Sequence, residues 1–299
     1  MTDFLINPAR LSFRVPDLLS GLLVCGNKGD ARPSAGNGDC ILIDGAAGLI
    51  GVADCTERSP QASRRFLTSL SEHLAGSGPF EDRHRPDVLL AAARSVLEEF
   101  HYDDRTTFLC VLALPEGRVF YLSGGDSLLM QLGFQGSRIV FRNRPNMGFT
   151  GRCREILDSG FLEVADNDFF LLATDGLWDL LGNGSEDLST WMPDALRSGS
   201  LDGLPHALVK GRHPAFSSMS GKLYDDLGLV LFRPFQTGSF CHRVLLGGTD
   251  SHSEEHYQDR LQRKGLPDCD LVLPEGPQSL WVLPDALDGL LAGPAPRAC

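Results

Sequence analysis

The chain is most constrained by a carboxylate set at the end of an apolar run. Asp166-Asn167-Asp168 forms a turn, and Phe169-Phe170-Leu171-Leu172-Ala173 follows, too short for a helix and read as a buried strand. The strand delivers Asp175 to its tip, and Gly176 lets the backbone turn sharply before Leu177-Trp178-Asp179. Burying a carboxylate there is costly unless something positive meets it. What meets Asp175 organises the rest of the reading.

The same arrangement recurs three times. Leu49–Ala53 runs into Asp54, Val119–Leu122 runs through Ser123-Gly124-Gly125 into Asp126, and Asp225-Asp226 stands directly before Leu227–Phe232. No Lys or Arg interrupts any of the four runs. If these strands are neighbours the carboxylates converge, and like charges do not share a site without a counter-ion. Oxygen-only ligands suit Mg²⁺ or Mn²⁺ better than zinc.

The rest of the composition excludes more than it assigns. The formal net charge of −12 argues against nucleic acid or an anionic membrane as main partner. No apolar stretch approaches the ~20 residues of a membrane span. Met1-Thr2-Asp3-Phe4 lacks the basic start of a secretory leader, so a cytosolic protein is expected. The eight cysteines form no CxxC pair and the histidines no zinc spacing. Ser-His-Asp chemistry lacks its Gly-x-Ser-x-Gly elbow. A dehalogenase-type phosphatase would need an acid where Leu177 stands.

In chain order, residues 1–21 read as an irregular lead-in. Strands are expected at 21–25, 40–43 and 49–53. Two amphipathic helices follow, one opening at Ser59-Pro60 and one at Pro86. A meander of strands runs over 106–114, 118–122, 128–132, 138–141 and 161–164. Short helices are expected within 183–215, and a last strong strand ends near Phe232. This order suggests stacked antiparallel sheets with helices outside.

At these residues the chain resembles the PPM family, the 2C-type metal-dependent Ser/Thr protein phosphatases. Ala173-Thr174-Asp175-Gly176-Leu177-Trp178-Asp179 is similar to that family's strongest signature. Gly51-Val52-Ala53-Asp54, Arg105-Thr106-Thr107, Ser123-Gly124-Gly125-Asp126-Ser127, Asp225-Asp226-Leu227 and Asn37-Gly38-Asp39 resemble its other motifs, in family order over residues 20–233. The resemblance implies an α+β fold, a four-layer α-β-β-α sandwich of two antiparallel sheets flanked by helices. It implies two Mn²⁺ or Mg²⁺ ions, with a weaker third. Asp54 would bridge two ions, the Cys55 carbonyl would serve one, Asp175 and Asp225 would complete the second, Asp39 would hold metal-bound water and Asp126 would face the third. Arg32 would anchor phosphate, and Asp54 and Asp175 would be essential to catalysis. The implied activity is hydrolysis of phosphoserine or phosphothreonine in a phosphoprotein, with a metal-acidified water attacking phosphorus.

The chain departs from the family at Cys55, where a Gly is usual, at Gly38, where a Glu is usual, and at Ser34, where an Arg is usual. A positive φ at residue 55 would be strained by the Cys55 Cβ. These departures predict a weakened first metal site, and leave a catalytically silent relative acting by binding as the rival reading. Residues 234–299 lie outside the resemblance and are set apart as an extension of unassigned role, so deletion of 240–299 is expected to leave the core folded.

Overall fold

The structure, a computed structural model, describes residues 2–7, 12–24, 38–55, 59, 61–78, 83–101, 103–115, 117–133, 138–151, 155–156, 158–166, 168–180, 201–203, 205, 225–234, 239–248, 269–274 and 280–283. Fifteen strands build two sheets among these residues.

The first sheet has eight strands: β1 (Leu5–Asn7), β2 (Ser12–Val15), β3 (Leu19–Val24), β8 (Leu128–Gly133), β9 (Arg138–Arg142), β11 (Phe169–Ala173), β12 (Leu227–Phe232) and β14 (Leu271–Val272), in the order β14-β1-β2-β3-β12-β11-β8-β9. The second has seven: β4 (Cys40–Asp44), β5 (Leu49–Ala53), β6 (Phe108–Leu114), β7 (Arg118–Gly124), β10 (Asp158–Glu163), β13 (Arg243–Gly247) and β15 (Leu280–Leu283), in the order β10-β7-β6-β5-β4-β13-β15. Every pairing is antiparallel except β13 with β15, which is parallel. The two sheets are antiparallel as expected, with that one parallel pair at an edge.

Alternation sorts each strand's side chains onto two faces. Ile41, Ile43, Ile50, Val52, Leu109 and Val111 face Leu129, Phe170, Leu172, Val230 and Phe232 across the sandwich, forming the inter-sheet core. The opposite face of the second sheet packs beneath α1 (Ala62–Gly76) and α2 (Pro86–Glu99), with Phe66, Leu67, Leu70 and Leu74 on one stripe of α1. Phe66 stacks on Phe108 of β6, ring centroids 4.7 Å apart. The outer face of the first sheet is covered by Leu177 of α3 (Gly176–Leu180) and by Leu201 of a single 3-10 turn. The layers are thus α-β-β-α, as the sequence suggested. The short helices expected within 183–215 lie outside the described residues apart from that turn.

Three strands, β1, β2 and β13, were not read from the sequence, whereas 269–273 and 280–283 were expected as strands or docking segments. The lead-in holds β1 and β2, joined as a hairpin in the register Leu5↔Arg14 and Ile6↔Phe13. The presumed extension holds β13, which pairs with β4 from Arg243↔Asp44 to Gly247↔Cys40. It also supplies β14 to the first sheet and β15 to the second. The boundary set at 233 is therefore corrected: residues beyond it complete both sheets. A buried ion pair fixes the join, Arg243 Nε lying 3.1 Å from Asp44 Oδ2 with both side chains almost wholly covered. No helix among the described residues is long and apolar enough to cross a membrane.

Candidate metal centre

The carboxylates gather where the central strands of both sheets end. Asp39 precedes β4, Asp54 follows β5, Asp175 follows β11 and Asp225-Asp226 precede β12. Asp39 is buried, and its Oδ2 accepts a hydrogen bond of 2.5 Å from Thr174 Oγ1. Thr174 Oγ1 in turn accepts the Gly228 N–H at 2.8 Å, so the neighbour of Asp175 bridges β11, β12 and the opposite sheet. Asp226 Oδ2 accepts the Gly38 N–H at 2.8 Å, closing the chain just before Asp39 onto β12.

Asp54 is held by its backbone. Its N–H donates to Thr107 Oγ1 at 3.1 Å, and its carbonyl accepts from Thr106 Oγ1 and the Thr107 N–H, both at 2.7 Å. Thr107 Oγ1 lies 3.0 Å from Ser127 Oγ, linking this brace to the residue after Asp126. The Arg105-Thr106-Thr107 motif thus acts as a clamp on the end of β5. Asp126 sits on a turn whose Gly125 has φ +108°, and a Cβ there would meet Thr107 Cγ2 at 2.5 Å. Only glycine fits that position without strain.

Gly176 has a different reason from the one expected. Its φ is not positive, but a Cβ at this position would overlap the Asp226 carbonyl oxygen. The need is close backbone approach, not a sharp turn, and it sets Asp175 beside Asp225-Asp226. Gly176→Ala should destabilise the fold by about 3 kcal/mol or more, because the obstacle is backbone that cannot swing aside. A urea midpoint within error of wild type would refute this packing.

Electrostatics shows how closely these groups are drawn together. The Asp39 carboxyl is pushed well above the usual range by burial first, then by the charges of Asp226, Asp175 and Asp225, against the opposing Thr174 hydrogen bond. Asp54 is raised likewise by burial, then by Asp39, Asp175 and Asp225, and by a hydrogen bond shared with Asp39. Asp126 is raised by burial and, more weakly, by Asp225. Among the described residues, the leading charges acting on Asp39 and Asp54 are other carboxylates. A folded-state pKa above the unfolded value gives stability present at low pH and lost as pH rises through the folded pKa. In metal-free protein, Asp54→Asn should therefore gain stability over wild type as pH climbs from the ordinary carboxylate range toward neutrality. Paired urea titrations showing a constant or shrinking difference would contradict it.

The donors suit a divalent cation in kind, being carboxylate oxygens, and a hard cation such as Mg²⁺ or Mn²⁺ is the chemical match. Among the described residues no group of three or more Asp, Glu, His or Cys side chains already stands in a metal-holding arrangement. Carboxylates without a cation repel one another, and the Asp39 charge adds to the burial that pushes Asp54 up. Arg32 and Asn37 lie outside the described residues.

Cys55 is buried, and its thiol is pushed up by burial and by Asp54, Asp39 and Asp226, so it is a neutral side chain. Its φ is not positive, since Asp17 alone among described non-glycine residues has that conformation. The expected backbone strain at Cys55 is thus corrected. What its side chain does is fill space: a Cβ at Gly38 would meet Cys55 Sγ at 2.9 Å. The two departures from the family pattern are sterically paired. Gly38→Ala should cost about 1–3 kcal/mol alone and much less in a Cys55→Ala background. Additive costs in a double-mutant cycle would sink that pairing.

The sequence reading missed Thr174, Asp226 and the Asn143/Asn146 loop. Asp226 was visible only as the neighbour of Asp225. Asn143, which donates to Ser127 O and accepts from Leu129 N–H, carried no signal at all.

No protein-family model and no curated protein matches the sequence. The fold matches solved structures of PPM-type phosphatases. The PPM Ser-Thr phosphatase MsPP from Mycobacterium smegmatis superposes with a TM-score of 0.54 at 18% identity, over 73% of this chain and 98% of that one. PppA, a regulatory component of T6SS in Pseudomonas aeruginosa, gives 0.52 at 18%, over 73% and 97%. The catalytic domain of the serine/threonine protein phosphatase PstP, solved with two manganese ions, gives 0.51 at 18%, over 72% and 97%. The chain has the PPM-type phosphatase fold.

Proposed function

We propose that the chain is a metal-dependent protein serine/threonine phosphatase whose centre is built by Asp39, Asp54, Asp175 and Asp225, with Asp126 beside them. The observation that carries this reading is the convergence of buried, mutually repelling carboxylates at one end of a sandwich with the PPM-type fold. Two divalent cations bound there would acidify water and offset charge on the phosphoryl oxygens.

The chain's own residues supply position. Thr174 fixes one Asp39 oxygen. The Thr106–Thr107 clamp holds the Asp54 backbone, so its side chain is presented from a rigid strand end. The Asp226–Gly38 hydrogen bond keeps the segment before Asp39 against β12. Arg32 is proposed to meet the phosphate. The Cys55 backbone carbonyl is proposed as a further oxygen donor.

The test is phosphate release from phosphoserine and phosphothreonine peptides with and without Mn²⁺. Release that requires Mn²⁺ and stops on chelation is expected. Tight Mn²⁺ binding by calorimetry with no release from any peptide would favour the silent, binding-only reading. Release that persists in chelator would overturn the metal centre.

A further inference from the structure

Both sheets end on the same side of the sandwich, β9 closing one and β10 the other. Between these edges lies a cleft of about 350 Å³. Tyr121 of β7 and Phe141 of β9 form its aromatic wall, ring centroids 5.4 Å apart, and the Tyr121 hydroxyl donates to Asp158 of β10 at 3.1 Å. Arg142, Arg144 and Asn146 line the remainder.

This cleft is tied to the carboxylate cluster at two points. Asn146 Oδ1 accepts the Gly125 N–H at 2.9 Å, and the Asn146 N–H donates to Gly125 O at 2.8 Å, so the cleft wall and the Asp126 turn are one hydrogen-bonded unit. The Arg142 guanidinium lies 4.4 Å from the Trp178 ring centroid, on the helix that begins after Asp175. Two large apolar side chains near this edge are left to solvent, Val140 at 45% and Met147 at 66% exposure.

We propose that this cleft receives an acidic segment of the phosphoprotein substrate, next to the phosphorylated residue, with Arg144 as the main charge contact. The proposal rests on the phosphatase reading for the identity of the substrate. Its own support is local charge. The chain is net negative by 12 and its centre gathers carboxylates, so an anionic peptide gains most where arginines are locally in excess. At the cleft, exposed Arg142 and Arg144 outnumber Asp158, whose carboxylate is already engaged by Tyr121. The volume is at the small end of ligand pockets, suited to side chains of an extended peptide more than to a whole cofactor.

Fluorescence anisotropy on the full chain with two labelled peptides, one rich in Asp and one rich in Lys around a central serine, tests this without needing turnover. Arg144→Glu should weaken the acidic peptide about tenfold and strengthen the basic one, and Arg144→Lys should restore the wild-type order. Arg94→Glu, on the exposed face of α2, makes the same change in net charge and should leave both affinities unmoved. Equal weakening by Arg94→Glu, or none by Arg144→Glu, would overturn the cleft. Hydrolysis of p-nitrophenyl phosphate is read in parallel. Peptide selectivity without hydrolysis would sustain the cleft and overturn the phosphatase reading, and hydrolysis without selectivity would do the reverse.

Discussion

A chain cut after residue 239 is expected to be insoluble or molten, because the cut removes β13 from beside β4 together with β14 and β15. Phe240, Val244, Leu245, Leu246 and Leu273 are all at or below 1% exposure, and all are lost. At about 1.5–3 kcal/mol for each such side chain, the loss is on the order of 10 kcal/mol. Whole domains are stable by only about 5–15 kcal/mol. The cut also removes Arg243 and leaves the Asp44 carboxylate buried without its cation, a change that costs about 3–5 kcal/mol in comparable pairs. Gel filtration and a urea melt decide the matter. A monomeric 1–239 fragment with a cooperative transition would show that β13 to β15 are dispensable.

The second large effect falls on chemistry and not on folding. On the proposed reading, Asp54→Ala or Asp175→Ala removes a cation ligand from the centre. At least about 4 kcal/mol of transition-state stabilisation should go with it, roughly a thousandfold in Mn²⁺-dependent turnover. The metal-free fold should survive. Asp54 is held through its backbone N–H and carbonyl, which alanine keeps, and removing a carboxyl relieves repulsion with Asp39 and Asp175. Full turnover in either variant would remove that residue from the centre. Loss of turnover accompanied by unfolding would make its role structural.

What could be read from the sequence was whatever repeats a local rule. The runs Leu49–Ala53 and Phe169–Ala173 are apolar throughout because both faces of those strands are covered, one by the inter-sheet core and one by helices or by the Leu177 cluster. Their boundaries and the acids at their ends were therefore visible. The α1 stripe was visible for the same reason, though its start moved: Ser59 does not cap it but donates its hydroxyl to the Asp103 carbonyl, and the helix begins at Ala62. β1 and β13 were not visible. Leu5–Asn7 is three residues long, and the apolar part of Arg243–Gly247 is only Val244 to Leu246, so neither shows a period. What makes them strands is their partners, 267 and 199 residues away in the registers Leu5↔Val272 and Arg243↔Asp44.

The site divides along the same line. Asp54, Asp126, Asp175 and Asp225 stood out because a charge beside an apolar strand is an anomaly within a few residues. The reasons for Gly176 and Gly38 did not, since each is set by an atom far along the chain: the Asp226 carbonyl for one, the Cys55 sulfur for the other. Reading Gly176 as a turn former assigned it a local cause where the cause is tertiary. Thr174 was quoted as part of a motif, but its work on Asp39, 135 residues away, needed both sheets in place.

The converging carboxylates are proposed as a metal centre for phosphoester hydrolysis. That role is tested most directly by following p-nitrophenyl phosphate hydrolysis by the unmodified full chain as Mn²⁺ is titrated into metal-stripped protein. No turnover is expected before addition, then a saturable rise with Mn²⁺, complete loss on chelation and recovery when Mn²⁺ is returned. Turnover that ignores both Mn²⁺ and chelator, or none at any Mn²⁺ concentration in a folded chain, would contradict it.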